Sequence, residues 1–242
     1  MTRIVVARRA ARIAARYRPV FIQGFEDLRD LIVPIPKDLT GPYRPTAVPE
    51  VYYSVKEDDN YYYIIYAVYH RKDWSDKFGG VIRNELDSHE HDFEGVLLRV
   101  AKRGSGRIDR VVVAVCHKDL EVTQNYPWYA LDLKNFAHVW LAIEPQGHGI
   151  GWYTDDYKSN CIQYRDYKLV NMNSSRFRWE ELRKVFNPKV NLPDQWDDWK
   201  IAKWVKRTHP VIKGKRITSS AGLIYTAPDV LIELMKRRGR IK

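Results

Sequence analysis

Within six residues, His89-Glu90-His91-Asp92-Phe93-Glu94 gathers two imidazoles and three carboxylates, and the apolar run Gly95-Val96-Leu97-Leu98-Arg99-Val100 follows at once. In an extended strand alternate side chains share a face. Asp92 and Glu94 therefore point one way, together with Val96, Leu98 and Val100, while His91 and Phe93 point the other. Two carboxylates at the mouth of an apolar interior repel each other and are costly to desolvate. A divalent cation resolves that conflict. His89 lies in the segment leading into the strand, where the chain can turn its ring to the same point. His91, facing away, is a cavity or acid–base candidate more than a ligand.

The next apolar stretch, residues 108–116, places Val111, Val113, Val115 and His117 on one face. Paired with residues 93–101 as a hairpin, it brings His117 beside Asp92 and Glu94. Asp73, just beyond the apolar segment 61–69, reaches the same rim. Oxygen donors with one or two imidazoles suit one Mg²⁺, Mn²⁺ or Ca²⁺; a richer histidine set shifts the choice to Zn²⁺. The alternative is a metal-free network of these groups, hydrogen-bonded and paired with Arg71 or Arg99.

Four strands must position this cluster. Residues 61–69 (YYYIIYAVY) are aromatic and β-branched on both faces, which predicts a central strand. Residues 93–101 and 108–116 predict a hairpin, and residues 138–143 a fourth strand. That strand ends in the turn Pro145-Gln146-Gly147-His148-Gly149, which offers His148 as a second cavity or acid–base candidate. The pattern predicts a mainly β fold, a β-sandwich with a short N-terminal helix and helical C-terminal segments. Residues 3–17 read as a basic amphipathic helix, and prolines 34, 36, 42, 45 and 49 as an extended connector. The expected division is 1–49, helix and connector, and 50–242, sandwich with C-terminal helices over 179–185, 193–207 and from Thr226. Trp196, Trp199 and Trp204 are expected to pack on the sandwich.

The 242 residues are 45% hydrophobic and 13% aromatic, a composition that folds. No apolar run approaches the roughly 20 residues a membrane-spanning helix needs. Six arginines in residues 1–18 and five basic residues in 236–242 account for the whole net charge of +11. Contact with a membrane surface or nucleic acid is thus expected through residues 3–18 and 236–242. Arginines interrupt any secretory signal core, so an intracellular location is the default expectation. Cys116 and Cys161 are expected as buried free thiols.

The cluster also resembles a known family. Ser88 to Glu94 is similar to the GHRHDWE heptapeptide of the necrosis- and ethylene-inducing peptide 1-like proteins. Residues 64–73 (IIYAVYHRKD) resemble that family's strand ending in Tyr-Phe-Pro-Lys-Asp. Residues 138–149 (HVWLAIEPQGHG) look like a strand of the related Vps62-type proteins. The resemblance spans residues 50 to 150. It implies a β-sandwich with flanking helices and a divalent cation in a surface cavity. Asp73, His89, Asp92 and Glu94 match the cation-site positions, and His117 matches a later cavity histidine more loosely. Members of that family are secreted cytolysins that recognise sphingolipid head-group sugars on plant membranes. Here Ser88 stands for the first Gly, Glu90 for Arg and Phe93 for Trp, and the two cysteines do not recreate the family's disulfide.

Three functions follow as expectations. The first is a divalent-metal-binding sandwich that captures a glycan or lipid head group and is membrane-active in a cytolysin-like way. The second is a metal-dependent phosphodiesterase or nuclease with His91 or His148 as general acid or base. The third is a non-catalytic structural or interaction protein.

Overall fold

The computed structural model describes residues 2–25, 28–36, 48–73, 89–103, 108–113, 121–123, 138–145, 148–152, 161–174, 211–212, 215–216, 228–237 and 241. In chain order these hold β1 (Arg3–Ile4), α1 (Ala7–Arg16), β2 (Val20–Gly24), a 3-10 turn (Leu28–Asp30), β3 (Glu50–Glu57), β4 (Tyr61–Asp73), β5 (His89–Ala101) and β6 (Ile108–Val113). There follow β7 (Glu121–Thr123), β8 (Trp140–Ile143), β9 (Ile150–Trp152), β10 (Cys161–Tyr164), β11 (Lys168–Asn171), the hairpin β12 (Val211–Ile212) and β13 (Lys215–Arg216), and α2 (Pro228–Arg237).

β3 to β7 form an antiparallel run of neighbours, with β1 and β11 sharing the free edge of β3 to complete a seven-stranded sheet. β10, β2, β8 and β9 form a second, four-stranded sheet in which β2 and β8 are parallel. The fold is mainly β, two packed sheets with few helices.

Alternation decides which side chains meet between the sheets. Along β4, Ile64, Tyr66 and Val68 face inward with Val96, Leu98 and Val100 of β5 and with Val51, Tyr53 and Val55 of β3. The second sheet answers with Phe21, Leu141, Ile143 and Ile150, and α1 with Ala10, Ile13 and Ala14. A fully buried Val, Leu or Ile stabilises by about 1.5–3 kcal/mol, so this layer dominates the fold. The Tyr66 hydroxyl, whose burial pushes its pKa well up, donates to the Ala14 carbonyl at 2.8 Å and ties the helix to the sheet. The other face of β4 and β5 is buried as well, by Tyr63, Ile65, Tyr69, Phe93 and Leu97. The expected central strand is therefore covered on both sides.

Several boundaries differ from the sequence reading. Residues 3–4 are a strand rather than the start of the helix, because their backbone pairs with Glu57 and Lys56. α1 begins at Ala7 with no side-chain cap at Val6. The strand expected from residue 93 begins at His89, and the one expected from residue 138 begins at Trp140. A sandwich starting at residue 50 leaves out β1 and β2, which belong to its two sheets; strands of two and five residues carry too little periodicity to announce themselves. Cys161 is a free thiol, but half-exposed rather than buried. The expected helices at 179–185 and 193–207, their tryptophans, Cys116 and Thr226 lie outside the described residues.

Candidate functional site

β4 and β5 pair in register from Tyr61↔Ala101 to Asp73↔His89, and the pair His70↔Asp92 falls near the far end. His70 has the parity of Tyr66 and Val68, so it points inward and is fully buried. Asp92 and Glu94 continue the inner face of Val96 and Leu98, each only 5% exposed. The carboxylates thus sit at the mouth of the apolar interior, on the face that strand alternation assigns them. Phe93 turns to the other face and meets the Tyr52 ring at 6.0 Å.

The second sheet delivers a base to this corner. The turn between β8 and β9 closes through Glu144 N–H donating to the Gly149 carbonyl at 3.0 Å. Its seat is Gly24, where an added Cβ would lie 2.7 Å from Pro145 Cδ. The Gln23 amide donates to the Glu144 carbonyl at 3.4 Å. Within the turn, His148 adopts φ 51°, the one positive φ of a non-glycine among the described residues. Such a backbone costs on the order of 1 kcal/mol or more and persists where surrounding contacts hold it.

Those contacts are two carboxylates and a ring. His148 Nδ1 lies 3.0 Å from Asp92 Oδ2, and Nε2 lies 3.5 Å from Asp30 Oδ1, an ion-pair separation rather than a short hydrogen bond. The His148 ring stacks on His70 with centroids 3.9 Å apart and planes 5° from parallel. Asp30, fully buried, ends the 3-10 turn, and its carbonyl accepts from His70 Nδ1 at 3.0 Å. Val33 N–H donates to the Tyr69 carbonyl and pins this segment along β4. With its proton on Nδ1, His70 keeps a lone pair on Nε2, which has no hydrogen-bond partner among the described residues. Burial drives the His70 pKa down to about 3, helped by the nearby His148 charge and opposed by Asp92 and Asp30. His70 is therefore neutral at ordinary pH.

No protein-family model matches the chain, and no curated protein matches its sequence. Among solved structures it is similar to NLPPya in complex with glucosamine, at 17% identity over 72% of this chain and 78% of that one, with a TM-score of 0.49. It is similar to Necrosis and Ethylene inducing Protein 2 from the causal agent of cocoa's Witches Broom disease, at 18% identity over 72% and 78%, with a TM-score of 0.47. The non-toxic HaNLP3 protein matches at 15% identity over 76% and 82%, also with a TM-score of 0.47. The chain resembles the necrosis- and ethylene-inducing proteins distantly. Overlap at this level carries no argument about ligand or activity, which must come from the residues themselves.

Of the residues singled out in the sequence, the structure brings Asp92, Glu94 and His148 to one corner. Asp73 and His89 pair across β4 and β5 at the outer end of the same ladder. His89 is thus already within the strand, not in a turn before it, because the ladder runs on to Asp73. His91 follows in β5. The side chains of Asp73, His89 and His91, and all of His117, lie outside the described residues. Arg71 and Arg99, the expected partners of a metal-free network, follow the parity of Phe93's face, and Arg99 lies over the Tyr61 ring at 4.4 Å.

Asp30 and His70 were not singled out by sequence reasoning. His70 carried a signal, its inward parity in a strand buried on both faces. Asp30 carried none, since a short 3-10 turn has no period and its contacts are 40 or more residues away.

Proposed function

We propose that this corner holds a divalent cation through Asp92 and Glu94, and through it captures the hydroxyls or phosphate of a glycan or lipid head group. The observation that carries the reading is the burial of two carboxylates on one strand face, with a third, Asp30, at the opposite ring nitrogen of His148. Carboxylates crowded out of water repel, and a hard divalent cation relieves that repulsion while leaving coordination positions open to sugar or phosphate oxygens. The donor chemistry fits Mg²⁺, Mn²⁺ or Ca²⁺ ahead of Zn²⁺, because the two buried acids supply oxygen. Among the described residues no group of three His, Cys, Asp or Glu is arranged to enclose an ion. Asp73 and His89, paired at the outer end of β4 and β5, are the residues proposed to complete the set, with His117 as a further ligand.

Two features favour a second reading, a metal-free structural corner: His148 engages both Asp92 and Asp30, and it is fully buried. The same burial argues against a hydrolase in which His148 exchanges protons with substrate, since a general acid or base must reach the reacting group. In this reading His148 positions Asp92.

Metal content and thermal unfolding of the native protein, measured beside Asp92→Asn/Glu94→Gln with Mg²⁺, Mn²⁺ or chelator, separate the readings. The expected result is about one metal per chain, lost in the variant, with native stability raised by about 3 kcal/mol at a hundredfold excess over Kd. Absence of metal and indifference to chelator would overturn the cation site and leave the structural corner.

A further inference from the structure

The net charge of the first 18 residues divides in two. Arg3 and Arg9 reach Glu57 at 3.3 and 3.2 Å, and Arg18 reaches Asp166 at 3.7 Å. Arg8, Arg12 and Arg16 make no ion pair among the described residues. They recur every fourth residue, which sets them in one row along α1. Ala10, Ile13 and Ala14 bury the opposite side of the helix against the sandwich, so Arg8 and Arg12 point away from the body, while exposed Arg16 lies over the edge residue Tyr17 at 5.5 Å from its ring. Ala7, Ala11 and Ala15 are exposed beside it, and their small side chains let the helix approach a flat surface closely. Just before the row in the chain, two large aliphatic residues are exposed, Ile4 at 59% and Val6 at 76%. Residues 1–18 contain no acid.

We infer that this face of α1, with Ile4 and Val6, is a docking surface for an anionic lipid bilayer. A cationic row attracts an acidic surface, and each arginine near it strengthens partition about fivefold. Charge alone would serve a nucleic acid equally well. The aliphatic pair decides between them, because exposed Ile and Val gain by entering the boundary between head groups and acyl chains and have no such gain against a phosphate backbone. The helix is held rigidly on the sandwich by Tyr66 and by Arg9, which donates to Glu57 and to the Tyr62 hydroxyl. Docking therefore needs no unfolding of the arm and fixes the orientation of the whole domain on the bilayer. The surface stands on α1 and its flank and does not depend on a cation at Asp92 and Glu94.

The test is sedimentation of the full chain with phosphatidylcholine vesicles, with and without phosphatidylserine, and a parallel titration with duplex DNA. Binding to the phosphatidylserine vesicles is expected to fall about a hundredfold in Arg8→Gln/Arg12→Gln/Arg16→Gln, whose melting temperature should match the native protein's. Arg8→Lys/Arg12→Lys/Arg16→Lys should keep it. Ile4→Ser/Val6→Ser should weaken it roughly tenfold at unchanged charge. Absence of binding to acidic vesicles, or binding indifferent to the triple glutamine variant, overturns the proposal. So does DNA binding lost in that variant while vesicles bind nothing. Asp92→Asn/Glu94→Gln and chelator should leave docking in place, so that failure of the cation site and failure of this surface are read separately.

Discussion

At one end of the β4–β5 ladder a buried carboxylate is ringed by permanent cations; at the other, buried carboxylates are ringed by imidazoles. Glu57, 4% exposed, receives Arg3, Arg9 and Lys102, the last at 2.6 Å. Burial raises the Glu57 pKa, but the hydrogen bond and charge of Lys102, then Arg9 and Arg3, outweigh it and hold the carboxyl below its ordinary value. Beside it Asp58 accepts from the Tyr63 hydroxyl at 2.7 Å and from the Asn60 and Tyr61 amides. These bonds and Lys236 outweigh desolvation and keep its pKa low too. At the far end Asp30 and Asp92 share His148, and His70 stays neutral beneath it. Lysine and arginine remain charged throughout the working pH range, whereas His70, its pKa driven down by burial, carries no charge there. The first end balances its carboxylate with permanent cations, the second sets its carboxylates against an imidazole stacked on a neutral ring.

Removing His148 should have the largest effect on this contrast. His148→Ala takes away the base between two buried acids and is expected to cost about 4 kcal/mol in urea unfolding. Adding Asp30→Asn should recover part of that loss, and no recovery would mean that the ring serves packing alone. At the opposite end Glu57→Gln should cost about 2 kcal/mol, since it weakens a charged hydrogen-bond network that includes the mostly buried Lys102. Because the Glu57 pKa is depressed in the folded state, its contribution is present above the ordinary carboxylate range and lost as pH falls through the lower folded value. The variant should therefore flatten the acid limb below about pH 4 and nothing above it.

The smallest and most diagnostic change is His70→Phe. The folded pKa of His70 is depressed from 6.5 to about 3. Its neutral form thus stabilises the fold above pH 6.5, and that contribution drains away as pH falls towards 3. Loss proceeds at up to about 1.4 kcal/mol per pH unit. The variant should remove this slope, at a cost of about 1 kcal/mol at neutral pH because the buried Asp30 carbonyl loses its donor. Identical pH profiles for the native and His70→Phe proteins would erase the distinction between the two ends.

What the sequence shows of all this depends on how far apart the contacts lie. The run β4–β6 is legible because each strand pairs with its chain neighbour and its alternation is unbroken, whereas β3, which the sequence reading does not mark as a strand, follows directly on the proline-rich connector. The same alternation puts Asp92 and Glu94 on the inner face. Parity also marks His70, once the strand is known to be buried on both sides. The parallel pairing of β2 with β8 joins segments some 120 residues apart, and nothing in either segment names the other. His148 is recognisable as a turn residue, but its contact with Asp30 depends on that pairing and on Gly24 accommodating Pro145. The basic helix is legible from its period. Its division into anchoring and outward-facing arginines needed the position of Glu57.

The free edge of β3 is completed by two segments from distant parts of the chain. Arg3 and Ile4 cover the stretch at Glu57 and Lys56, whereas Lys168 to Asn171 cover residues 50–53. During synthesis β3 to β6 can pair as soon as they emerge, but half of that edge stays bare until some sixty further residues have been made. An unpaired edge is a template for pairing with other chains. The nascent meander is thus the stage at which this protein is most open to aggregation, and β11 is the segment whose arrival ends the exposure.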